Sequence, residues 1–252
     1  FAGMLFVSKI NYKVYKKFAL PLMGVNILLL LMTRFSPLGI ELNYAKRWLD
    51  IGFSTLMTSE VTKFACIIMT ATIISNRKNL INNLGTIIQP FIYVGLSVLL
   101  IIIQPDLSTS VTILFVTFGM LFIAGMHYIY VLGIAGMGIF GIVLLILFEP
   151  YRLKRFTTFL DPFKDPLGNG YQVIQSLYAL GSGGIFGLGL GKSRQKFFYL
   201  PEPQNDFIFA IIGEELGYIG GIFVLILFAF LILRCLQLVV KAPDMFSSML
   251  VA

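Results

Sequence analysis

An all-α polytopic membrane protein is the fold class this sequence predicts, and three observations predict it. Of 252 residues, 58% are hydrophobic and only 12% charged, with a mean hydropathy of +0.89, a balance that soluble globular domains do not carry. The apolar residues are gathered into runs near the roughly 20 residues a helix needs to cross a hydrocarbon core, where backbone amides find no water to bond. Most lysines and arginines lie between the runs.

In chain order the predicted spans are 18–33, 57–75, 88–104, 107–125, 128–148 and 207–236, the last long enough to tilt. Residues 1–7 and 247–252 are apolar again and read as severed spans, so a fragment of about seven to eight spans is expected, forming one membrane domain over 1–252 with a large loop at 149–206. Cys66 and Cys235 lie in or at the end of spans and read as small apolar packers. His127 sits between two spans and has no second histidine beside it, which makes it a turn residue and argues against a metal centre.

Orientation follows from the cations. With alternating spans, Lys9, Lys13, Lys16, Lys17, Arg77, Lys78, Arg234 and Lys241 share one side, which should be cytoplasmic, and Arg34, Lys46 and Arg47 lie opposite. The large loop then falls outside, yet it carries Arg152, Lys154, Arg155, Lys164, Lys192, Arg194 and Lys196. Cations kept there against the usual bias suggest a polyanionic ligand at the membrane surface; ordinary solvated or headgroup-binding charge is the alternative.

Within the loop, GYQVIQSLYALGSGGIFGLGLG (170–191) places Val173, Ile174, Leu177 and Leu180 at helical spacing, fit for an interfacial helix. The glycines from Gly181 to Gly191 look superficially like a nucleotide loop. No strand precedes them, so they are read instead as letting the backbone bend, approach a ligand closely or offer amides to phosphate oxygens. Trp48, after Lys46 and Arg47, reads as an interfacial anchor. Glu60 and Lys63 share a helix face near the start of a span, as a structural ion pair or a functional one. Asp106 follows Pro105 between two spans and suits a helix cap.

Asp206 stands where a proline-broken polar stretch meets the last long apolar run, with Glu214 and Glu215 further along it. It, or Asn205, can cap that helix. It can equally serve as a base, since a carboxylate beside an apolar wall has its basicity raised while a helix N-terminus lowers it. Both roles stay open on the residues alone.

Several blocks together resemble the SEDS family, the FtsW, RodA and SpoVE group. They are Arg47–Trp48, SEVTK from Ser59, QPDLST from Gln104, YRLKRFTTFLDPFKDPLGNGYQVIQSLYALGSGGIFGLGLG from Tyr151 and KFFYLPEPQNDFIFAIIGEELGYIG from Lys196. They occur in order over nearly the whole chain, the last two are highly specific, and the final block is nearer the FtsW and SpoVE branch. Two positions depart from the pattern: Thr58 replaces a usual proline and Ser108 a common glycine.

The resemblance implies a ten-span helical fold, of which this fragment lacks the first span and the last two. It also implies a peptidoglycan glycosyltransferase of the bacterial cytoplasmic membrane, polymerising lipid II on the outer face by inversion, without a nucleotide sugar. Asp206 matches the family's essential acid, Trp48 its tryptophan, and Glu60 and Lys63 its conserved pair. With Arg47 these are the expected substrate contacts, and Arg152, Arg155, Lys192 and Lys196 are inferred to meet the pyrophosphate. The implied partners are lipid II, a class B penicillin-binding protein and membrane lipid, with no nucleic acid. No cofactor is certain, although a divalent cation bridging Asp206 and pyrophosphate stays open. A lipid II flippase and a non-catalytic scaffold are the alternative functions.

Overall fold

The computed structural model describes residues 2–42, 45–52, 54–147, 157–158, 160–168, 170–201 and 206–252. Helices α1 (Ala2–Ser8), α2 (Lys13–Lys17) and α3 (Ala19–Phe35) are followed by strands β1 (Gly39–Leu42), β2 (Ala45–Asp50) and β3 (Thr55–Met57). Next come α4 (Thr58–Asn76), α5 (Leu84–Ile103), α6 (Leu107–Ile123) and α7 (Tyr128–Leu147). The chain continues through α8 (Tyr171–Gly183), the one-turn α9 (Gln195–Phe198), α10 (Ile208–Lys241) and α11 (Met245–Val251).

A helix lies at each of the six predicted spans. α5 starts earlier than its hydropathy suggests because Asn83 caps it, its Oδ1 accepting from the Gly85 amide at 2.9 Å. By length and composition α5 and α10 are able to cross a membrane, with mean hydropathies of 2.3 and 2.7; α3, α6 and Tyr128–Gly141 of α7 are shorter apolar helices. On α10, Leu225, Phe228, Phe230, Leu231, Ile232 and Leu233 are all more than half exposed. Consecutive helical residues face every direction, so this segment suits an apolar surrounding on all sides.

Two compact units are present, one of residues Phe1–Ile134 with Cys235–Ala252 and one of Ala135–Arg234. In the first, α3 to α6 pack around Met23, Leu30, Ala65, Cys66, Val94, Val98, Ile101 and Ile113. A polar layer crosses this core. Asn26, fully buried, donates to Ser97 Oγ (3.1 Å) and accepts from Thr62 Oγ1 (2.7 Å), while Thr33 Oγ1 donates to Thr58 Oγ1 (3.1 Å). Side-chain hydrogen bonds between membrane helices average about 0.6 kcal/mol and reach about 1.7. Asn26→Ala removes two and leaves a small void, so it should destabilise by about 1 to 2 kcal/mol when unfolding is followed in mixed micelles. An unchanged midpoint would show that the layer holds nothing together.

α11 packs onto α4 through Phe246 and Met249, which join Ala71, Ile74 and Leu121 in a second apolar cluster. Asp244 starts α11 with a capping box: its Oδ1 accepts from the Ser247 amide (2.8 Å), and its Oδ2 accepts from the Tyr12 hydroxyl (2.8 Å). The Ser247 amide, then the Tyr12 hydroxyl, hold this carboxyl below its ordinary range. The folded value therefore lies under the unfolded one of about 3.9. The cap's contribution is complete above the unfolded value and is lost as pH falls through the folded one. Hydrogen-exchange protection of α11, corrected for intrinsic rate, should drop as pH falls through the unfolded value of about 3.9 and below it. Asp244→Asn should flatten that dependence.

The expectation of an all-α chain is corrected by the sheet. β2 is its middle strand, antiparallel to both neighbours, with Trp48 opposite Ile40 and Met57 and a bulge between Ile40 and Glu41. Three short strands leave little periodic signal, and AKRWLD lacks clean alternation. His127 does stand in a turn, its amide donating to Asn82 Oδ1 at 2.8 Å and its ring against Tyr128.

In the second unit the buried face of α8 runs through Ile174, Ala179 and Gly183. Leu177 and Leu180 of the predicted stripe are exposed. The buried face meets α10 at a backbone crossing: a Cβ at Gly183 would collide with the Gly213 carbonyl of α10, so the helices meet where both lack side chains.

Candidate functional site

The long last helix is two helices. Gly217, at φ 69° and ψ −169°, breaks α10 after Leu216. Such a break frees carbonyls before it and amides after it, and in an apolar medium each needs a partner. The glycine-rich loop supplies them. The amides of Leu188 and Gly189 donate to the carbonyls of Glu214 (2.9 Å) and Glu215 (3.0 Å), and the amides of Tyr218 and Ile219 donate to the carbonyls of Gly184 (2.9 Å) and Ile185 (3.3 Å). The close approach made by these glycines is therefore to α10.

The side chains of Glu214 and Glu215 extend this seam. Glu214, 1% exposed, accepts from Ser193 Oγ at 2.6 Å and from the Arg194 amide at 3.0 Å. Glu215 accepts from Lys196 Nζ at 2.9 Å and from the Ser193 amide at 3.4 Å. Ser193 Oγ in turn accepts from the Lys196 amide at 3.1 Å. Each carboxylate, Glu214 buried and Glu215 with its side chain 12% exposed, thus has a set of donors. Sequence reasoning placed both acids on the last helix and Arg194 among the loop cations, but missed Ser193 and the bonds that join this turn to the two acids. Nothing in residue spacing reports a contact across twenty positions.

Asp206 lies at the entrance to α10 and is exposed. The first helical bonds, from the amides of Ala210 (2.9 Å) and Ile211 (3.3 Å), go to the carbonyl of Phe207. Phe207 therefore occupies the cap position. The capping role considered for Asp206 is not seen, and Asn205 lies outside the described residues. Among the described residues no hydrogen bond or ion pair engages the Asp206 carboxylate, so it is available for proton transfer. Lys192 is exposed, whereas Lys196 is committed to Glu215. Arg152 and Arg155 lie outside the described residues.

The other predicted residues belong to the first unit. Arg47 on β2 donates from Nε to the Gln104 carbonyl (3.2 Å) and from its guanidinium to the Pro105 carbonyl, fastening the sheet to the turn between α5 and α6. Trp48, next to it, is half-buried. Glu60 and Lys63 form an ion pair at 2.8 Å on one face of α4, with side chains 51% and 36% exposed. Lys63 also lines a cleft of about 50 Å³ with Cys66, Ile67, Thr112, Ile113, Val116 and Thr117. Asp106 caps α6 as its position suggests, Oδ1 accepting from the Thr109 amide at 3.3 Å. Ser108, the residue in place of a glycine, donates its hydroxyl to the same oxygen at 3.2 Å. Among the described residues no three His, Cys, Asp or Glu side chains are placed to hold a metal ion.

The Cell cycle protein family profile of FtsW, RodA and SpoVE matches residues 1–252. Stage V sporulation protein E of Bacillus subtilis (strain 168) is 40% identical over 247 residues, which are 98% of this chain and 68% of that protein. The probable peptidoglycan glycosyltransferase FtsW of Tolumonas auensis is 44% identical over 201 residues, 79% of this chain and 52% of its own. Among solved structures, a chain from a peptidoglycan synthase complex that coordinates polymerization and crosslinking superposes with a TM-score of 0.76 at 26% identity, covering 98% of this chain and 68% of that one. The rod shape-determining protein RodA of Thermus thermophilus gives 0.67 at 22%, covering 98% and 64%. The chain spans about half to two thirds of the length of these relatives. With the family profile matched from end to end and relatives at 40% identity or more, this membrane chain belongs to the FtsW, RodA and SpoVE family.

Proposed function

We propose that the protein is a peptidoglycan glycosyltransferase that polymerises lipid II on the outer face of the bacterial cytoplasmic membrane, within a ten-span fold. The observation that carries this reading is an exposed carboxylate, Asp206, with no partner among the described residues, at the entrance of an apolar helix in a chain whose relatives are named probable peptidoglycan glycosyltransferases. Asp206 takes the proton from the acceptor sugar hydroxyl as that oxygen attacks the donor's anomeric carbon. The bond from that carbon to the lipid pyrophosphate breaks, and its electron pair leaves with the phosphate. A base on one side and a leaving group on the other give inversion by a single displacement.

Positive charge for the departing pyrophosphate comes from the loop carrying Arg152, Arg155 and Lys192, whereas Lys196, which the sequence groups with them, is engaged by Glu215. Trp48, Arg47, Glu60 and Lys63 contribute substrate contacts. A class B penicillin-binding protein is the partner, a reading supported by the likeness to a chain of a peptidoglycan synthase complex. The test is polymerisation of labelled lipid II by the full-length protein with and without that partner, beside a translocation assay in vesicles. Glycan strands support the transferase. Lipid movement without strands makes it a flippase, and neither activity leaves a scaffold.

A further inference from the structure

The second unit distinguishes cations that the sequence treats alike. Of those described in the large loop, Lys164 pairs with Asp161 at 3.7 Å and Lys196 with Glu215 at 2.9 Å. The side chains of Lys192 and Arg194 are exposed and have no hydrogen-bond or ion-pair partner among the described residues. Their backbone is held firmly. The Arg194 amide donates to buried Glu214 at 3.0 Å, Ser193 between them is clamped by both glutamates, and the Lys192 amide donates to the Gly189 carbonyl at 3.1 Å. A fixed backbone with unengaged cationic tips is preorganised for an anion, because little freedom remains to be lost on binding. Arg adds a planar fork that matches phosphate oxygens two at a time, which an ammonium lacks.

We propose that Arg194, supported by Lys192, makes the direct contact with the pyrophosphate of the lipid substrate, that Lys196 is instead the structural counter-ion of Glu215, and that Glu214 is the positioning residue for Arg194. This assignment rests on the transferase reading for the identity of the anion, not for the existence of the contact. Glu214 acts through two hydrogen bonds to the turn and never meets substrate.

The experiment is calorimetric binding of farnesyl pyrophosphate to the full-length protein in detergent, with farnesol as the uncharged control. Loss of a charge-assisted contact to phosphate should weaken farnesyl pyrophosphate binding about tenfold or more in Arg194→Ala, with farnesol unchanged. Arg194→Lys should recover part of the loss. Glu214→Ala should weaken binding too, not additively with Arg194→Ala, and Glu214→Gln, which keeps an acceptor, should restore most of it. Lys196→Met should stay within about twofold of wild type yet expose the loop to protease, as should Glu215→Gln. Arg194→Ala binding as wild type, or Lys196→Met losing more than Arg194→Ala, overturns the assignment. Polymerisation is scored separately. If wild type makes no glycan while Arg194→Ala still loses pyrophosphate affinity, the transferase reading falls and the contact stands. If glycan forms normally and Arg194→Ala binds unchanged, only the contact falls.

Discussion

Asp206→Asn should leave the protein folded and lipid-bound while lowering polymerisation by about two to four orders of magnitude, the range spanned by general base catalysis. The change is isosteric, and the carboxylate is exposed without a partner among the described residues, so stability should move by no more than about 0.5 kcal/mol. The phenotype is therefore chemical. An amide oxygen accepts a hydrogen bond, but it is too weak a base to take a proton, so substrate binding survives and turnover does not. Single-turnover polymerisation, with lipid II binding measured in parallel, separates the two. Equal strand formation by wild type and variant removes Asp206 as the base, and equal loss of binding makes it a contact residue.

Gly217→Ala should have the largest effect on stability. At φ 69° and ψ −169° the residue occupies a region essentially confined to glycine, costing other residues about 1 to 3 kcal/mol. An added Cβ would also meet the Gly187 amide, the Ile185 carbonyl oxygen at 2.5 Å and its carbon at 2.6 Å. These are backbone atoms of the loop that completes the hydrogen bonding of the break, so they cannot withdraw without undoing it. A loss of about 4 kcal/mol or more is expected for the second unit, read as unfolding in mixed micelles and as proteolysis of the loop. Gly181→Ala provides the control. It lies inside α8 with open space around its would-be Cβ, so it should be neutral or stabilising by up to about 1 kcal/mol. Equal behaviour of the two variants would mean that the break is incidental.

Much of the helical fold was legible because it is written in hydropathy. The apolar runs at 57–75 and 107–125 became α4 and α6 nearly residue for residue, since a span must be apolar for its whole length. The Asp106 cap and the pairing of Glu60 with Lys63 were legible too, because both are local, set by an i+3 relation along one helix. The sheet around Trp48 was not. Three strands of three to six residues depend on pairing with one another more than on any pattern within them.

Nor was the clamp on Ser193, since hydrogen bonds between positions 193 and 214 depend on how the chain folds back, which hydropathy does not encode. The glycine loop shows the same limit from the other side. Its residues advertise close approach, yet only the structure names α10 as the thing approached. The acid at 206 stood out by its place between a polar stretch and an apolar helix, and its freedom from capping came from the Phe207 carbonyl.

The division of α10 has a geometric consequence. At 1.5 Å per residue, the part from Tyr218 to Lys241 is about 36 Å long. That already exceeds a hydrocarbon core of about 30 Å. The arm from Ile208 to Leu216, about 14 Å by the same rise, is thus released from any duty to traverse lipid. A thinner or thicker bilayer can be met by leaning the longer stem, while the elevation of Asp206 relative to the loop is set by main-chain bonds that lipid does not touch. The acid is gauged from the protein, not from the membrane.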